Sequence, residues 1–66
     1  MNIQLNGDAR EIDRNLTLQA LLALEGLTGR RVAVEVNGHI IPRGRHETHG
    51  LLEGDRVEIV HALGGG

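Results

Sequence analysis

The sequence predicts an α+β domain, one sheet covered on one face by a single helix, in the order strand, strand, helix, strand, strand, strand. Two Asn-Gly dipeptides, Asn6-Gly7 and Asn37-Gly38, each join stretches in which apolar and polar residues alternate, the pattern of a tight hairpin. Between them, from Thr17 onward, the apolar spacing changes from two to about 3.6 residues, which is the period of a helix. After Gly54-Asp55 the alternation returns for one last strand.

Each element has its own local reason. In residues 1–5, Met1, Ile3 and Leu5 fall on one face, and Asn6-Gly7 tolerates positive φ at both central positions of the turn. The return strand is expected at residues 9–12. Thr17 is placed to cap the helix by accepting a hydrogen bond from a first-turn N–H. Leu18, Leu21 and Leu22 form the apolar stripe, backed by Ala20, Ala23 and Leu24, and Gly26 and Gly29 supply stop positions. Val32, Val34 and Val36 alternate with Ala33 and Glu35. Asn37-Gly38 then turns the chain into His39, Ile40 and Ile41, where Pro42 ends the strand for want of an N–H.

Residues 43–50 are polar and aperiodic, which predicts an irregular surface connection with a short helical turn, and Leu51 and Leu52 are expected to tuck beneath it. The last strand is expected over residues 56–63, with Val57 and Ile59 on the face opposite to Glu58 and Val60. One helix has stripe enough for one sheet face, so the other face is solvated or binds something. Val60 and Ala62, with Ala33, are the candidate docking residues on that open face, and Leu63 is a further docking candidate.

Composition removes several function classes. In 66 residues there is no Cys, no aromatic residue and no Lys, and seven Arg stand against nine acidic residues for a net charge of −2. The core must therefore be built from aliphatic side chains, with no disulfide framework, thiolate nucleophile or zinc ribbon. Nucleic-acid binding lacks both a basic balance and a stacking platform. No stretch approaches membrane-spanning length and no leader is visible, so a soluble, cytoplasmic, monomeric protein is expected.

Neither metal chemistry nor autonomous catalysis finds support. His46-Glu47-Thr48-His49 places its histidines three apart, whereas the zinc-protease helix needs four, so surface histidines and no metal are expected. Arg30-Arg31 and Arg43 with Arg45 read either as a docking patch for an acidic partner or as solvated loop residues. No nucleophile stands paired with a base.

The informative segment is Gly64-Gly65-Gly66, because glycine forfeits backbone order without contributing burial. Extended, residues 63–66 span about 13 Å and pass through a channel too narrow for any side chain. That makes the Gly66 carboxylate deliverable to a partner, and chemistry on a carboxylate requires activation, for which acyl-adenylate formation from ATP is the expected route.

The order of elements, the size, the two Asn-Gly turns, Gly54-Asp55 before Val57-Glu58-Ile59-Val60, and the final His61-Ala62-Leu63-Gly64-Gly65-Gly66 together resemble the ThiS family of sulfur carriers of thiazole and thiamine biosynthesis, over the whole chain. The resemblance implies a ubiquitin-like β-grasp domain with a mixed sheet over residues 1–63 and a flexible tail over residues 64–66. It also implies that a ThiF-type adenylyltransferase, similar to ubiquitin-activating enzymes, adenylates Gly66 with ATP. A donor such as a cysteine desulfurase would then supply sulfur for a thiocarboxylate, and a ThiG-type thiazole synthase would consume it. Gly64 and Gly65 thread the partner's channel, and no cofactor is bound by the chain itself. The chain departs from many family members in ending on three glycines rather than two and in lacking an aromatic residue in the last strand. Related alternatives are the small subunit of molybdopterin synthase, and a ubiquitin-like modifier conjugated through Gly66. An interaction module with an inert tail is the third.

Overall fold

The computed structural model describes residues 1–61. Strands β1 (Asn2–Leu5) and β2 (Asp8–Glu11) form the first hairpin, helix α1 (Leu18–Leu24) follows, and β3 (Val32–Val36) with β4 (His39–Ile40) forms the second. A 3₁₀ turn (Arg43–Arg45) precedes the last strand, β5 (Arg56–His61). The sheet order is β2-β1-β5-β3-β4, so the last strand enters at the middle. It runs parallel to β1 and antiparallel to β3, which makes the sheet mixed, as the resemblance implies.

Both Asn-Gly turns have positive φ at both central residues, 50° and 86° at Asn6-Gly7 and 52° and 86° at Asn37-Gly38, matching the right-handed twist of the flanking strands. The return strand of the first hairpin, expected at residues 9–12, runs one residue earlier, Asp8–Glu11, because the two-residue turn leaves Asp8 directly opposite Leu5. In the second, Ile41 lies beyond the short strand, although its N–H still donates to the Val34 carbonyl at 2.9 Å.

Helix α1 has only two turns and is held at both ends. The Ala20 N–H donates to Thr17 Oγ1 at 3.1 Å, while the Leu18 and Gln19 N–H groups donate to the carbonyls of His49 and His46 at 3.0 and 2.9 Å. The long connection after the second hairpin thus folds back to satisfy the first-turn donors. At the other end Gly26, at φ 73°, donates to the Ala23 carbonyl and Leu27 to the Leu22 carbonyl, a paired closure that leaves Leu27 packed against the core. Arg10 of β2 adds a two-pronged ion pair to Glu25 at 2.8 and 2.9 Å, and these hydrogen bonds push the guanidinium pKa up from its ordinary value.

The core is aliphatic. Ile3 and Leu5 of β1, Val34 and Val36 of β3, and Val57 and Ile59 of β5 face Leu18, Leu21 and Leu22 of the helix, with Leu51 closing the group. Two expectations need correction. Leu24 lies 69 % exposed because at 3.6 residues per turn it points away from the Leu18–Leu21–Leu22 stripe. Leu52 is also 69 % exposed, since adjacent residues of an extended segment point to opposite sides and Leu51 takes the inward one. Of the last strand expected over residues 56–63, the described part is Arg56–His61; Ala62 and Leu63 lie outside the described residues.

Candidate functional site

The site begins with the strand that leads to the glycines. β5 pairs with β3 along its length, from Val36↔Val57 to Val32↔His61, and with β1 only at Gln4↔Arg56 and Leu5↔Val57. Alternation puts Val57 and Ile59 under the helix and leaves Glu58 and Val60 on the open face. There Val60, 60 % exposed, stands opposite Ala33, and Glu58 stands opposite Glu35. Exposed Ile40 of β4 neighbours Glu35 on the other side. The open face thus has a small apolar patch beside two carboxylates of like charge, an arrangement that costs a sheet stability.

The opposite end of β5 is tied down by polar side chains. Asp55, 8 % exposed, accepts from the Leu52 N–H at 2.8 Å through Oδ2 and from Asn37 Nδ2 at 2.9 Å through Oδ1. Asn37 Oδ1 in turn accepts from the Arg56 N–H at 2.9 Å, and Asn6 Oδ1 accepts from the Ile59 N–H at 2.8 Å. The side chains of both hairpin turns therefore grip the central strand, at Arg56 and at Ile59. Sequence reasoning took Asn6 and Asn37 only for turn formers and Asp55 only for a turn residue; their cross-links arise from strands far apart in the chain.

Of the residues marked from the sequence, Val60 lies on the open face with Ala33 as expected, while Ala62, Leu63, Gly64, Gly65 and Gly66 lie outside the described residues. His46, expected at the surface, is only 7 % exposed, and its Nε2 donates to the Ile41 carbonyl at 2.9 Å. It is drawn inward because its own carbonyl caps the helix. Among the described residues no three His, Asp or Glu side chains converge as a metal-holding group. Nor, among them, is any helix long and apolar enough to cross a membrane.

A five-stranded mixed sheet grasping one helix, with the last strand at its centre, defines a ubiquitin-like β-grasp domain. The sequence profile of the ThiS family matches residues 3–66, and the chain belongs to that family. It is 42 % identical over 65 residues to the sulfur carrier protein ThiS of Bacillus subtilis, covering 97 % of this chain and 98 % of that one. The crystal structure of the thiamine biosynthesis protein ThiS from Geobacter metallireducens superposes with a TM-score of 0.84 at 33 % identity, covering all of both chains. The chain is also 38 % identical over 66 residues to a thiazole synthase of Paramagnetospirillum magneticum. It spans all of its own length but only 20 % of that protein, and the same share of a thiazole synthase of Magnetococcus marinus.

Proposed function

We propose that this chain carries sulfur for thiazole formation in thiamine biosynthesis, with Gly66 as the atom-bearing residue. The observation that carries the reading is that Gly64-Gly65-Gly66 follow the strand gripped at the centre of a ThiS-family sheet. Five residues beyond His61 reach at most about 17 Å, and the last three present no side chain to obstruct a narrow channel. The Gly66 carboxylate oxygen attacks the α-phosphorus of ATP on an adenylating partner, and pyrophosphate leaves. Hydrosulfide, released from the donor, then attacks the acyl carbon and loses its proton, and AMP departs with the C–O electron pair, leaving a thiocarboxylate for a thiazole synthase to draw on. Once the sulfur has passed to the acceptor, water supplies the oxygen that restores the carboxylate, so the protein is a recycled co-substrate.

In this reading Val60 and Ala33, on the face that the helix leaves open, belong to the contact surface, and Ala62 and Leu63 are the further contact residues. The whole-length similarity to part of two thiazole synthases supports thiazole formation as the destination, because it places a domain of this kind in one polypeptide with that activity. The test is transfer of labelled sulfur from the loaded protein to a thiazole product by a thiazole synthase. Removal of Gly65 and Gly66 is expected to abolish loading and leave unfolding of the domain unchanged. Loading that survives the truncation refutes Gly66 as the carrier.

A further inference from the structure

On the helix side of the molecule, away from the open face, a cleft of about 230 Å³ lies between the end of α1 and the 3₁₀ turn. Leu22, Leu27 and Val32 contribute apolar surface, Arg30 and Arg43 contribute guanidinium donors, and the His46 ring completes the lining. No carboxylate lines it, although acidic residues outnumber basic ones in the chain. The fold thereby brings together one arginine from each of the two basic pairs visible in the sequence. Neither Arg30 nor Arg43 has a side-chain hydrogen bond or ion pair among the described residues.

Two backbone features add to the cleft. The Arg30 N–H donates to the Leu27 carbonyl at 3.0 Å, closing a tight turn with Gly29 at φ 77°. That turn leaves the N–H groups of Thr28 and Gly29, both residues on the cleft wall, without a backbone acceptor among the described residues. His46 is fixed as well. Because a carbonyl only accepts, its bond to Ile41 puts a proton on Nε2, and Nδ1 makes no hydrogen bond among the described residues.

We infer that this cleft binds the phosphate group of a small molecule, either free phosphate or a phosphomonoester, between Arg30 and Arg43. Planar guanidinium forks match phosphate oxygens in pairs, and exposed turn N–H groups suit the same anion. His46 Nδ1 is able to accept from a P–OH group, which hydrogen phosphate has, or to donate to a phosphate oxygen. The volume admits a phosphate with a short organic stem lying on the Leu22, Leu27 and Val32 wall. The inference stands independently of the sulfur-carrier reading, since it uses no residue of the open face or the glycine tail.

The test is a nuclear magnetic resonance titration of the whole chain with inorganic phosphate, with glycerol 3-phosphate and, at matched ionic strength, with sodium chloride. Saturable shifts of the Thr28, Gly29 and Arg30 amides and the His46 ring are expected with the two phosphates and not with chloride. Arg30→Gln and Arg43→Gln are each expected to weaken binding about tenfold, the loss of one charge-assisted contact, with unfolding unchanged. Tighter binding of glycerol 3-phosphate than of phosphate assigns the site to phosphomonoesters, and equal binding assigns it to the free anion; both support the cleft. Shifts that match chloride, or that persist when both arginines are replaced, overturn it.

Discussion

The two hairpins use the same dipeptide in the same backbone conformation, yet they do unequal work. At Asn6-Gly7 the side chain makes one bond, to the Ile59 N–H, and the following strand β2 is exposed at the sheet edge. At Asn37-Gly38 the side chain makes two, to Asp55 and to the Arg56 N–H, and Asp55 extends the network to Leu52. A turn residue's local conformation and its long-range bonding are thus separate contributions. The first is common to both hairpins and the second distinguishes them.

The largest effect is expected at the centre of the richer network. Asp55→Ala strands the Leu52 N–H and the Asn37 amide, and is expected to cost about 3 kcal/mol in urea unfolding. Asn37→Gly keeps the turn conformation and removes only the side-chain bonds, for a loss of about 2 kcal/mol. Asn6→Gly, with one bond to lose, is expected to cost about 1 kcal/mol. Equal losses at the two asparagines would erase the distinction drawn between the hairpins. Gly7→Ala and Gly38→Ala sharpen it from the other side. A methyl at either position meets no heavy atom within 4 Å, so each is expected to cost the same, about 1 kcal/mol, through backbone strain alone. The smallest effect has the opposite sign: Glu58→Gln relieves the repulsion from Glu35 and is expected to stabilise the domain by about 0.5 kcal/mol.

The same division explains what was legible in the sequence. Leu18, Leu21 and Leu22, Thr17 and both Asn-Gly turns are governed by neighbours a few residues away, so periodicity and capping preferences find them. The entry of β5 between β1 and β3 is not fixed by any local pattern; it follows from the resemblance to the ThiS family, with the helix covering one face. His46 escaped because its burial depends on the connection after Pro42 folding back over the helix start. Leu52 was misplaced because two adjacent leucines in an aperiodic stretch do not reveal which one turns inward. On the site, Val60 and Ala33 were readable from alternation, whereas the Glu35–Glu58 pairing and the meeting of Arg30 with Arg43 require the register and the folded loops.

In the proposed reading β5, gripped at Arg56 and Ile59, leads in sequence to three glycines, and the carboxylate of the last carries sulfur. The most direct test of that reading is the intact mass of the protein after incubation with ATP, an adenylating partner and a sulfur source, with fragmentation to locate any change. The account predicts one oxygen replaced by sulfur, placed on Gly66, and no such change in a Gly65→Val variant that unfolds normally, because its branched side chain obstructs the channel. An unaltered Gly66 under conditions that load another ThiS-family protein would contradict it.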